Sequence, residues 1–163
     1  MDSRWDYRAA SPNAVKAMMA LDAAVNRTRL EPSLLELVRM RTSQINGCAY
    51  CLDMHSKDAL ARGEAAQRLF GLDAWRETPY YTAREQAALE WTEALTLVHE
   101  THVPDEAFEA VQAQFSDEEI SNLTLAIVSI NGWNRIAISA RMVPGDYVSP
   151  HRKAESATEA VPR

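Results

Sequence analysis

Apolar residues recur along this chain at spacings of three and four, and strict alternation is nearly absent. That is the period of helices that each bury one stripe, and it predicts an all-α fold of about seven helices. Ser11-Pro12 opens the first, with serine as the cap and proline at the first helical position, where its missing N–H costs nothing. Val15, Met18, Met19 and Val25 mark its apolar face. Glu31-Pro32-Ser33 starts the second, with Leu34, Leu35, Val38 and Ile45 inward, and Asn46-Gly47 breaks it. A third is expected from at or next to Cys48 to Arg62-Gly63, and a short fourth from Glu64 to Phe70, ended by Gly71.

The stretch LDAWRETPYY reads as a connector with room for a helical turn. Thr82 and Glu85 form a capping-box pattern that opens a helix reaching His99 or Glu100. Pro104 begins another, Asp105 to Phe115. Ser116 and Glu119 repeat the capping box ahead of a long apolar pattern (Ile120, Leu123, Leu125, Ile127, Val128, Ile130, Ile136, Ile138) that Pro144-Gly145 stops. From His151 to Arg163 the chain is polar, with no core-forming pattern, and a mobile tail is expected there. Residues 1–150 therefore read as one helical domain and 151–163 as a tail.

With 47% apolar and 25% charged residues the composition is that of an ordinary globular domain. A net charge of −6 and the lack of a basic stripe argue against a nucleic-acid partner. No run approaches the roughly 20 apolar residues that cross a bilayer. The opening MDSRWDYRAASPN has no apolar core of a secretory signal. The expected compartment is the cytoplasm, where a cysteine pair is more often catalytic or metal-binding than a structural disulfide.

The chain has 2 cysteines, both in SQINGCAYCLDMHSKDALARGE. On a helix, Cys48, Cys51 and His55 fall within roughly 60° of one another. Three chemistries fit that face. A dithiol at a helix N-terminus is biased toward thiolate by the helix dipole, and a histidine one turn on can take a proton. Glu36, a carboxylate in the otherwise apolar LLELVRM, could fold back to orient that histidine. Zinc is the second use, although a structural site needs four ligands and His99 and His102 could complete it only by a tertiary coincidence. Simple burial of two thiols and a histidine is the third.

The string ELVRMRTSQINGCAYCLDMHSKDALARGE, Glu36 to Glu64, resembles the alkylhydroperoxidase D-like (AhpD-like) core of the carboxymuconolactone decarboxylase superfamily. INGWNRIAI, Ile130 to Ile138, is similar to a second segment of that family, and the resemblance extends over about residues 10 to 145. It implies an all-helical homo-oligomer, commonly a trimer or hexamer, that needs no cofactor. It also implies a peroxidase that reduces hydroperoxides through the cysteine pair, with an external dithiol as reductant. By the same resemblance Cys51 is the peroxide-attacking cysteine that becomes a sulfenic acid. Cys48 is its proton-donating and resolving partner, and His55 with Glu36 is the proton relay. The best-studied branch carries a second histidine inside its CxxC, where this chain has Tyr50. The dipole argument alone favours Cys48 as the attacking thiolate; the resemblance and the histidine at i+4 favour Cys51. A non-enzymatic dithiol switch and a metal-binding helical domain are the competing functions.

Other polar residues read as structural. Arg39 and Arg41 are expected on a solvated face or in intersubunit ion pairs, with thiolate stabilisation as the alternative. Gln44 and Asn46 are expected to brace the turn, and Asn131, Asn134 and Arg135 to serve packing or an interface. Trp75, Tyr80, Tyr81 and Trp91 are expected in core or oligomer contacts rather than along a substrate channel. His99 and His102 suit a helix C-terminus, where a cation is favoured.

Overall fold

The computed structural model describes residues 2–151, so the expected tail lies outside the described residues except for His151. The described chain is all-helical. It begins with the single turn α1 (Tyr7–Ala10), α2 (Pro12–Val25), the central α3 (Pro32–Asn46) and the cysteine helix α4 (Ala49–Ala61). The short α5 (Ala66–Phe70) and a 3-10 turn (Leu72–Glu77) lead to α6 (Ala83–Thr96) and the single turn α7 (Val98–Thr101). Two more helices follow, α8 (Asp105–Gln112) and the long α9 (Asp117–Ala140). The seven expected helices are α2 to α6, α8 and α9; the two single-turn pieces are additions to them, and the 3-10 turn lies in the connector where a helical turn was expected.

Helix α3 is the axis of the fold. Leu34 through Met40 are all buried, so it has no solvent face over two turns, and α4, α6 and α9 pack around it. One core layer joins Val25, Leu34, Val38, Ala88, Trp91, Val111, Leu123 and Ile127. A second, on another side of α3, joins Leu37, Met40, Leu69, Leu72, Trp75 and Leu89. Leu37 has no exposed surface, and truncating such a residue to alanine costs about 2–5 kcal/mol. Both capping boxes form, at Thr82–Glu85 and Ser116–Glu119, with the side chains bonding the backbone reciprocally.

Several boundaries and faces differ from the sequence reading. Ser11 precedes α2 but makes no side-chain cap. Helix α6 ends at Thr96, because Leu97 leaves the helical region (φ −99°, ψ 33°), and the chain reaches His102 through α7. Helix α9 stops at Ala140, with Arg141 in the left-handed region (φ 53°), ahead of Pro144-Gly145. Met19, Leu125, Val128 and Ile138 belong to the apolar patterns of α2 and α9, yet all are exposed on the single chain. Helix α9 packs against α2, α3, α4 and α6, and its apolar residues outnumber the positions those contacts bury. No helix among the described residues is long and apolar enough to cross a membrane.

Candidate redox site

The cysteines sit where α3 hands the chain to α4. Gly47 caps α3 with φ 67°, a left-handed conformation that a side chain makes unfavourable, and its N–H returns to Gln44 and Ser43. The reversal brings Cys48 to the N-cap of α4 in extended conformation. Its Sγ accepts the Cys51 backbone N–H at 3.4 Å, the place a serine or aspartate oxygen takes in an ordinary cap. Both thiols are free and buried, and they pack with Ile130 and Ala137 of α9.

Their protonation is unequal. The Cys51 thiol hydrogen bonds to Cys48 and lowers the Cys48 pKa to about 7; burial opposes this, and backbone N–H groups and the Asn134 amide assist it. Cys51 is pushed far up, first by holding that hydrogen bond, then by burial and by the neighbouring anion. The hydrogen bond between them thus favours the thiolate form at Cys48 and the thiol form at Cys51. The cavity beside the pair, however, is lined by Cys51.

Glu36 and His55 meet across the α3–α4 interface, with Glu36 Oε2 2.9 Å from His55 Nδ1. A carboxylate partner selects the Nδ1–H donor and leaves Nε2 for chemistry. Arg39 donates to Glu36 Oε1 at 2.8 Å and to Asn26 Oδ1 at 2.6 Å, with Asp22 at 3.4 Å. Burial raises the Glu36 pKa, but the bonds from His55 and Arg39 outweigh it and hold the carboxyl below its ordinary range. Arg39 is thus a buried counter-ion of Glu36, not a residue of a solvated face.

A cavity of about 270 Å³ opens beside Cys51 and His55. Its walls are mainly apolar and aromatic, including Met19, Met54, Trp133 and Met142, and Tyr50 and Arg39 also border it. Trp75, Tyr81 and Trp91 lie in the core and Tyr80 is exposed; none of the four borders this cavity. Tyr50, inside the CxxC, takes the wall position.

The remaining candidates divide clearly. Arg41 bonds Glu93 at 2.7 Å, Gln44 at 3.1 Å and Asp73, remote from the thiols. The Asn46 amide donates to Asn131 and Asn134 at 3.0 and 2.9 Å, bracing the turn as expected. Arg135 bonds Asn131 on the surface. Asn134, expected only to pack, is fully buried, donates to Ser43 Oγ at 3.1 Å and also reaches the two sulfurs. His99 pairs with Glu100 at the exposed end of α7, and His102 is exposed too. Among the described residues the group with metal-ligand proximity is Glu36, His55 and Asp58, within 4.8 Å of one another, and it excludes the cysteines. Its carboxylates are already bonded by Arg39, His55 and Tyr147. Asp58 and Tyr147 were not singled out from the sequence. Asp58 lies three residues after His55, a spacing that carries the hint, whereas Tyr147 carries none.

The sequence profile of the Carboxymuconolactone decarboxylase family matches residues 12–94. The chain belongs to this family. Within it the chain is AhpD-like. A protein of unknown function from Agrobacterium tumefaciens, with a suggested role in antioxidant defence as AhpD, has a crystal structure 45% identical in sequence. The match has a TM-score of 0.86 and covers 90% of this chain and 100% of that one. The uncharacterized protein YdfG of Bacillus subtilis is 40% identical over 139 residues, 85% of this chain and 95% of its own length. The debrominase Bmp8 shares the fold with a TM-score of 0.76 at 19% identity, over 85% of this chain and 74% of Bmp8.

Proposed function

We propose that this AhpD-like protein is a thiol-dependent peroxidase that reduces hydroperoxides through Cys48 and Cys51, with an external dithiol as the final reductant. The observation that carries the reading is the pairing of a buried Cys48–Cys51 dithiol with a histidine–carboxylate couple at a mainly apolar cavity.

The resting proton moves from Cys51 to Cys48 along their hydrogen bond, which leaves the thiolate on the sulfur that borders the cavity. That thiolate attacks the terminal oxygen of ROOH. The O–O bond breaks, Cys51 becomes a sulfenic acid, and the alkoxide takes a proton from the His55–Glu36 couple to leave as ROH. Cys48 then attacks Cys51 Sγ. The S–S bond forms and the sulfenic oxygen leaves as water, the thiol proton passing to it. An external dithiol reduces the disulfide by exchange and becomes a disulfide itself; of its two protons one returns to the cysteine pair and the other to the His55–Glu36 couple. Two electrons from the dithiol thus reduce one hydroperoxide to alcohol and water.

The test is consumption of cumene hydroperoxide with dithiothreitol as reductant. Cys51→Ser should abolish turnover. Cys48→Ser should permit one turnover and leave a sulfenic acid that dimedone traps at Cys51. A Cys51→Ser protein that consumed peroxide at the wild-type rate would overturn the assignment, and dimedone capture at Cys48 in a Cys51→Ser protein would reverse the roles.

A further inference from the structure

We propose that Asp58 and Tyr147 are positioning residues for the His55–Glu36 couple, so that the segment 141–151 orders the proton relay; the proposal rests on the peroxidase reading. Asp58 is buried one turn beyond His55 on α4, and one ligand atom of each of Glu36, His55 and Asp58 lies within 4.8 Å of the other two. Two carboxylates therefore flank one imidazole. An untied Asp58 carboxylate would offer the ring a second acceptor, and a second orientation of the ring would follow.

Each carboxylate has its own tether. Arg39 holds Glu36. The Tyr147 hydroxyl holds Asp58, lying 2.9 and 3.0 Å from its two oxygens. Burial and the Asp58 carboxylate both push the tyrosine titration upward, so the hydroxyl remains a donor across the working pH range. With Asp58 occupied, Glu36 is the carboxylate left to pair with the ring.

The donor arrives on a segment that is itself strapped to α4. Lys57 Nζ donates to Gly145 O at 2.8 Å, Gly145 N donates to Asp53 Oδ2 at 3.1 Å, and Arg62 bonds His151 Nε2 at 2.6 Å. The same segment supplies Met142 to the wall of the cavity. One stretch of chain thus lines the substrate space and fixes the second carboxylate. The titratable and charged groups around His55 and its cavity are Glu36 and Arg39 from α3, Asp22 of α2, Tyr7 and Arg8 of α1, Tyr50, Cys51 and Asp58 from α4, and Tyr147 from the segment. Helix α9 contributes no titratable group to that cavity, its residues there being Ile130, Trp133 and Ala137.

The experiment uses the full chain as Tyr147→Phe, Asp58→Asn and the double variant. Two readouts are followed across pH: the rate constant for reaction with cumene hydroperoxide, and the ¹⁵N resonances of the His55 ring, assigned against His55→Asn. The Tyr147→Phe variant should react about tenfold more slowly, with a displaced pH profile and altered ring resonances. In the Asp58→Asn background the tyrosine substitution should add nothing, since its partner no longer carries a charge. A Tyr147→Phe protein with unchanged ring resonances and an undisplaced profile overturns the proposal, whether or not its rate falls. If the wild type proves inert toward hydroperoxides while Tyr147→Phe alters the ring resonances, the positioning stands and the peroxidase reading fails.

Discussion

Glu36 Oε2 and His55 Nδ1 lie 2.9 Å apart, and both residues are buried. The carboxylate also neutralises Arg39, so Glu36→Gln removes two charge-assisted bonds in one step. Breaking one side of a buried ion pair costs about 3–5 kcal/mol. Losing the group that orients a proton-transfer histidine lowers turnover about a hundredfold or more. Thermal melts and peroxide consumption measured on the same preparation separate the two effects. A folded Glu36→Gln protein with near-normal turnover would remove the carboxylate from the mechanism.

The reduced protein should show a thiolate absorbance at 240 nm that rises with pH around a midpoint near the Cys48 value of about 7. The Cys51 thiol is the largest cause of that lowered value. Cys51→Ala should therefore move the midpoint upward, toward an ordinary thiol, and Cys48→Ala should erase the signal near neutrality. A midpoint that stayed near neutrality in Cys48→Ala would place the resting thiolate on Cys51.

Asn134 joins the C-terminal helix to the cysteine turn. Its amide donates to Ser43 at 3.1 Å, its carbonyl accepts from Asn46 at 2.9 Å, and it favours the thiolate form of both cysteines. Asn134→Ala leaves buried polar groups without partners, at about 1–3 kcal/mol each. It should also raise the thiolate midpoint. Asn134→Asp would retain the acceptor for Asn46 yet set an anion against the sulfurs, and its midpoint should rise further than that of the alanine variant.

Much of this site was legible because it is local. The glycine break at Gly47, the CxxC and the histidine at i+4 lie in one short stretch, and helical geometry alone puts their side chains on one face. Glu36 was also legible, as a carboxylate among apolar residues on the preceding helix. The long-range partners were not. Asn134 reaches Ser43 over a sequence separation of 91 residues, and Tyr147 reaches Asp58 over 89. No period or spacing encodes such pairs; only the packing of α9 and of the segment 141–151 creates them. Arg39 was misread for a related reason. Arginine on a helix usually faces water, but α3 is enclosed on every side over two turns, so its polar residues must pair internally. The same enclosure sent Trp75, Tyr81 and Trp91 to the core, and left the cavity wall to Tyr50, Trp133 and methionines.

Glu93 provides a test of stability against pH that is independent of the redox site. Burial raises its pKa, but bonds from Arg76, Trp75 and Arg41 outweigh that and hold the carboxyl below its ordinary range. A carboxyl depressed on folding contributes stability that is fully present above its unfolded pKa of about 4.3. That contribution is lost as the pH falls through the folded value, because the unfolded chain then binds the proton first. Glu93→Gln should melt well below the wild type at pH 7. The gap between the two melting temperatures should hold down to about pH 5 and narrow steadily as the pH falls toward 3. A gap that stayed constant over that range would mean that Glu93 acts through shape rather than charge, and that Arg41 and Arg76 are not held by its anion.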